Sequence, residues 1–85
     1  MSADITERVH RLVAATAPRP RQPADLNAEQ RLIEDLGYDS LRLMELTVIL
    51  ERAFDLPRYL PEELVGVRAV GDVVALVERT TGATT

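Results

Sequence analysis

Five prolines limit where helices can form in this chain. Proline removes a backbone donor and clashes with the preceding turn, so it is confined to helix starts and connections. Pro18 and Pro20 end one helix, and Pro23 extends the connection that follows. Pro57 lies beyond the end of a second helix, and Pro61 suits the first position of a third. The apolar pattern fills the intervals. Ile5, Val9, Leu12 and Val13 recur at i, i+4, i+7 and i+8, which predicts an amphipathic helix over 2–17. Ser2 is its candidate N-cap, with Asp4 and Glu7 in the first turn. Residues 40–54 are rich in Leu, Met, Glu and Ile and predict a helix capped by Asp39 or Ser40. A short helix over 61–65 is stopped by Gly66. A last one over 70–80 carries Val70, Val73, Val74 and Val77 on one face, with Gly82 past its end and a frayed tail over 81–85. No segment alternates like a strand. The expectation is an all-α fold in one domain over 1–85: a small four-helix bundle, three longer helices and one short, with a long loop between the first two.

The loop over 18–38 has no sustained periodicity. Leu26, Leu32, Ile33 and Leu36 are its candidate anchors to the core, and 27–36 has the composition for a helical turn or two. Gly37 supplies backbone freedom just before the second long helix.

Composition excludes several kinds of chemistry. Ten Arg and no Lys against fourteen Asp plus Glu leave a net charge of −4. The sequence pI is near 4.9. That balance argues against nucleic acid or an anionic membrane as partner. With no Cys and a single His, neither a disulfide framework nor a metal site is expected. No apolar run is long enough for a membrane span, no secretory signal is seen, and the expected location is the cytoplasm. Residues 1–31 carry five Arg and four acids, whereas residues 32–85 carry five Arg and ten acids. The acidity is thus expected around and after Ser40, on a side read by partners.

The central helix holds more apolar residues than one buried face uses. With Leu41 at zero on a helical wheel, Leu43, Leu46, Ile49, Leu50, Ala53 and Phe54 span about 80° to about 220°. Leu41, Met44 and Val48 form a second stripe between about 300° and 0°. Glu45 and Arg52 flank it on one side and Glu51 on the other. Either the proline-rich loop covers this stripe, or it stays exposed as a charge-rimmed partner surface.

Ser40 stands at the start of that helix, where a serine is often only a cap. A self-contained nucleophile needs an adjacent base and an oxyanion site. The one imidazole, His10, belongs to the first helix, and no Lys is present. Ser40 is therefore no catalytic nucleophile of this chain, and any reaction at it requires another enzyme.

The run from Leu32 to Leu46, with Leu36-Gly37-Tyr38-Asp39-Ser40-Leu41 at its centre, resembles the acyl carrier and peptidyl carrier proteins. The resemblance continues through Leu50 to Leu56, Pro61-Glu62-Glu63-Leu64 and Val70-Gly71-Asp72-Val73. It implies that Ser40 accepts 4′-phosphopantetheine from coenzyme A and carries acyl or aminoacyl groups as thioesters on the arm. The working thiol is then the cofactor's, consistent with a chain that has no Cys. It further implies docking of partner enzymes through Asp39, Leu41, Met44, Glu45 and Val48, with Gly37 and Val67 next to the arm. The implied partners are a phosphopantetheinyl transferase, a loading enzyme, and downstream synthase or tailoring enzymes, acting on a monomeric carrier. Fatty-acid carriers usually have an acid where this chain has Arg42. Arg42 together with Tyr38 looks more like discrete carriers of polyketide or nonribosomal-peptide pathways. Ala69 stands where a Thr often caps the last helix, so that cap is expected to be weak. A carrier of general fatty-acid synthesis, and a helical adaptor using the same stripe with Ser40 only a cap, remain as alternatives.

Overall fold

The computed structural model describes residues 2–19, 21–59, 61–64 and 66–81. In it the chain forms α1 (Ser2–Thr16), α2 (Ser40–Ala53), α3 (Pro61–Leu64) and α4 (Val70–Thr81), with one 3₁₀ turn at Pro23–Asp25 between α1 and α2. The predicted helices are present within one residue at each described end. The expected roles of Pro20 and Gly82, and all of the tail after Thr81, lie outside the described residues, as does the Ser2 side chain. Thr81 is helical, not part of a tail.

α1 packs against both α2 and α4. Ile5, Val9 and Val13 of α1 are buried with Leu46 and Leu50 of α2 and Val70, Val73, Leu76 and Val77 of α4. Leu12, Leu43, Phe54 and Val74 are only partly buried at the margin of this core. Each of the first two long helices lends an arginine to the end of the other. Arg8 donates to the Ala53 carbonyl at 2.7 Å and lies 4.2 Å from the Phe54 ring centroid. Arg42 donates to the Thr16 carbonyl at 3.1 Å. Helix ends leave carbonyls without intrahelical partners, and a guanidinium there also meets the negative end of the helix dipole. The two contacts hold α1 and α2 antiparallel.

The loop is sewn to α4 rather than coiled. Leu32 N–H donates to the Arg68 carbonyl at 2.8 Å, Val70 N–H to Gln30 at 2.9 Å and Gly71 N–H to Ala28 at 3.0 Å. A Cβ on Gly71 would lie 3.0 Å from the Ala28 Cβ, so the close approach requires glycine. These bonds satisfy the first N–H groups of α4. The Asp72 carboxylate accepts from the Arg68 and Ala69 N–H groups at 3.0 Å each. The α4 terminus is thus well satisfied, contrary to the weak cap expected from Ala69. The same two hydrogen bonds hold the Asp72 carboxyl below its ordinary value.

Leu26, Leu32 and Leu36 anchor the loop as expected, but Ile33 does not: it is 56% exposed. In a single turn closed by Asp35 and Leu36 N–H groups on the Arg31 carbonyl, Leu32 and Leu36 share the inner side and Ile33 faces out. The expected helical turn is present, with i→i+4 bonds from the Asp35 N–H to the Arg31 carbonyl and from the Gly37 N–H to the Ile33 carbonyl, but it does not extend into a helix. Tyr38 completes the seam. Its ring is buried, its hydroxyl donates to the Val13 carbonyl at 2.6 Å, and it shares a hydrogen bond with the Thr16 hydroxyl. Burial raises its phenol pKa. At the far end of α2, Asp55 adopts φ 55°, and the Leu56 N–H closes on the Glu51 carbonyl at 2.8 Å, a Schellman stop.

Candidate functional site

Asp39, not Ser40, caps α2. Its carboxylate accepts from the Arg42 N–H at 2.9 Å while its backbone stays extended. This choice leaves Ser40 at the first helical position, exposed, with no hydrogen-bond partner for its hydroxyl among the described residues. The N–H groups of Ser40 and Leu41 likewise find no protein acceptor among the described residues. Two unpaired donors at the positive end of a 14-residue helix form a favourable setting for a phosphate. Gly37 turns the chain into this terminus at φ 81°, a backbone state that a side chain disfavours. A Cβ there would also stand 3.3 Å from the Pro18 ring.

The second stripe is open. Leu41 is 66% exposed, Met44 64% and Val48 45%. The alternative that the loop folds over them fails, because the loop is drawn the other way, onto α4 and the end of α1. A cavity of about 110 Å³ opens between α2, α3 and α4, its α2 side running from Leu43 to Leu50. Leu46, Leu50, Leu64 and Leu76 wall it, with the exposed Met44 and the partly buried Val67 also lining it. Val67 thus lines a cavity that also borders α2, on the side of Met44.

Acids outnumber arginines around Ser40: within residues 34–45, Glu34, Asp35, Asp39 and Glu45 stand against Arg42 alone, a net of −3. Residues 39–53 carry three acids and two arginines, a net of −1. The rest of the acidic excess falls on the loop turn, α3 and α4, while the segment following α2 carries Asp55 and Arg58 and is neutral. Within α2, Glu51 is occupied by the Tyr59 N–H at 2.8 Å. Arg42 and Tyr38, the two residues that suggest a pathway, both have internal partners. These are the Thr16 carbonyl for Arg42, and Val13 with Thr16 for Tyr38. Sequence reasoning misses these roles, and it misses Tyr59, which is buried and hydrogen-bonded to Thr80 at 3.0 Å.

Residues 7–77 match the family model described as the phosphopantetheine attachment site. The chain belongs to that family. Its members hold 4′-phosphopantetheine covalently and serve as carriers, modified by a transferase, rather than as catalysts. The exposed Ser40 hydroxyl and the two unpaired N–H donors beside it fit that group. Among curated relatives, the meromycolate extension acyl carrier protein of Mycobacterium tuberculosis is 34% identical over 58 residues, covering 68% of this chain and 50% of its own length. An acyl carrier protein of Wolinella succinogenes is 40% identical over 57 residues, covering 66% of this chain and 72% of its own. The chain thus spans about half the length of the first of these relatives. A solved Mycobacterium tuberculosis structure assigned as an acyl carrier protein superposes with a TM-score of 0.76 at 29% identity, over 88% of this chain and 96% of that one. In the described residues no helix is long and apolar enough to cross a membrane.

Proposed function

We propose that this chain is a cytoplasmic acyl carrier, with Ser40 as the attachment point of 4′-phosphopantetheine. The observation that carries the reading is the division of labour at the start of α2. Asp39 takes the capping role and leaves the Ser40 hydroxyl exposed and uncommitted. In the modification, the Ser40 Oγ forms a new bond to the phosphorus of the coenzyme A pantetheine phosphate. The bond from that phosphorus to the nucleotide part breaks, and the hydroxyl proton passes to a base of the transferase. The arm then supplies the thiol on which acyl groups are held as thioesters.

Leu41, Met44 and Val48 are the apolar centre of partner docking, with Asp39 and Glu45 beside them. Gly37 and Val67 lie at the two ends of the arm's path. The cargo we favour is acyl rather than aminoacyl. The cavity beside α2 is apolar, and the relatives named above are acyl carriers. At about 110 Å³ it is smaller than the ~150 Å³ cavity that accepts a benzene ring. A short acyl chain fits, and a long one requires the helices to part. A narrower assignment to polyketide or nonribosomal-peptide pathways draws its support from Arg42 and Tyr38, and the internal bonds of both residues weaken that support.

The test is to incubate the protein with coenzyme A, Mg²⁺ and a broad-specificity phosphopantetheinyl transferase, and to weigh it. One phosphopantetheine is expected on the wild type and none on Ser40→Ala, whose helix content should be unchanged. A mass gain that survives Ser40→Ala, or no gain on the wild type, overturns the reading.

A further inference from the structure

Four large apolar side chains stand exposed among the described residues: Ile33, Leu41, Met44 and Val48. They are not scattered. Ile33 shares a groove with Leu43 and Val67. Leu43 and Val67 also line the cavity at whose edge Met44 stands. Met44 and Val48 share a third, shallow depression. The apolar surface is therefore one band running from the loop turn, past the cavity, to the middle of α2. Ile33 is seven residues before Ser40 and off the helix, so no helical wheel includes it.

The charges along α2 nearly cancel. Asp39, Glu45 and Glu51 stand against Arg42 and Arg52, a net of −1, and the backbone hydrogen bonds of Asp39, Arg42 and Glu51 orient those side chains without removing their charges. Glu45 and Arg52, of opposite sign, lie beside the stripe. At the Ile33 end the groove is bordered by Glu34 and Arg68, again one of each sign. Asp35 is paired with Arg31 at 3.3 Å. An interface whose centre is apolar and whose rim is balanced is complementary to a partner of the same character, and it gains little from long-range attraction.

Resting on the carrier reading, we infer that the enzymes reading Ser40 dock an apolar, charge-poor surface onto this whole band, Ile33 included. They do not depend on a basic surface attracted to an acidic helix. Ile33 contributes to binding although it lies outside α2.

The probe is the broad-specificity transferase, with the 85-residue chain as its substrate and mass gain as the readout. Between about 0.05 and about 0.5 M NaCl, the KM for the carrier is expected to change by less than about threefold, since screening removes only what charge attraction supplies. Ile33→Ser and Met44→Ser are each expected to raise KM about fivefold or more, as loss of an interface anchor does. Ile33→Leu should restore it, and circular dichroism should show all three variants folded. A KM rise of about tenfold or more with salt, or a folded Ile33→Ser variant indistinguishable from wild type, overturns the inference while leaving Ser40 modification intact. No modification of the wild type at any salt concentration overturns the carrier reading and this inference together.

Discussion

Arg42 offers a test in which local and tertiary physics predict opposite signs. It occupies the third position of α2, with Asp39 as N-cap. Locally, an arginine is the wrong choice there. The N-terminal end of a helix dipole favours acids, by ~0.3–1 kcal/mol, and a Glu at this position could also close a capping box with Asp39. Arg42→Glu should therefore stabilise the protein if only α2 mattered. The structure puts the guanidinium on the Thr16 carbonyl at the end of α1, 3.1 Å away. A hydrogen bond from a charged donor is worth ~1.5–3 kcal/mol when desolvated. Arg42 is only partly buried, so about 1 kcal/mol is the appropriate share. Replacing it with Glu also sets a negative charge against the negative end of α1, costing another ~0.3–1 kcal/mol. The balance is a net loss of about 1 kcal/mol, which in a domain of this size lowers Tm by ~4–8 °C. Arg42→Gln should lose less, because it adds no charge. The assay is thermal unfolding followed by circular dichroism, at low and high salt. An unchanged or raised Tm for Arg42→Glu would refute the account of Arg42 as the tie between α1 and α2.

Three further perturbations test the packing. Leu46 is buried and Met44 is 64% exposed on the same helix. Leu46→Ala should cost ~2–5 kcal/mol, while Met44→Ala should cost under ~1 kcal/mol, since alanine's helix propensity offsets part of the loss. Equal falls in Tm would show that the division of α2 into two apolar faces is wrong. Gly71→Ala places a Cβ 3.0 Å from the Ala28 Cβ. It should destabilise by ~1–2 kcal/mol through overpacking, with faster hydrogen exchange at the Leu32 and Val70 amides as the diagnostic readout. At low pH, the Asp72 carboxyl is held below its ordinary 3.8 by the Ala69 and Arg68 amides. Its contribution is fully present above that value and fades as pH falls through the folded one. Denaturant titrations should show stability declining below about pH 4, with a shallower decline in Asp72→Asn.

Local periodicity encodes the helices and little else. α1, α2 and α4 repeat their apolar residues at helical spacing, and the two faces of α2 separate on a helical wheel alone. The path of the loop is different. It is set by backbone bonds from Leu32 to Arg68, Val70 to Gln30 and Gly71 to Ala28, which join residues 36 to 43 positions apart and leave no trace in side-chain pattern. For that reason hydrophobicity places Ile33 in the core beside Leu32 and Leu36, and the structure does not. In a turn without helical period, an apolar side chain does not say which side it takes. Ser40 as the proposed attachment position is legible from the run around it. That Asp39 is the cap, and so frees the serine, is not, because either residue is chemically able to cap.

The same long-range bonds explain how so small a domain keeps an apolar band exposed without burying it. A loop of about twenty residues with several leucines could lower its free energy by collapsing onto Leu41, Met44 and Val48. It is prevented because its polar groups are already committed elsewhere: its backbone to the α4 terminus through Ala28, Gln30 and Leu32, and the Tyr38 side-chain hydroxyl to the end of α1. Moving the loop over the stripe would leave those groups, and the first amides of α4, without their protein partners. Each backbone bond so exchanged for water forfeits ~0.5–1.5 kcal/mol, which offsets much of what half-covering one further apolar side chain returns. Several would be lost together, so the exposed band is maintained by hydrogen bonds on the far side of the loop. A variant that loosens the α4 seam, such as Gly71→Ala, is therefore expected to alter access to Ser40 although it lies in α4, outside the apolar band. The measurable sign is a slower modification by the transferase at temperatures where the helices remain intact. Unchanged modification kinetics in a variant with demonstrably faster exchange at Leu32 and Val70 would refute this coupling.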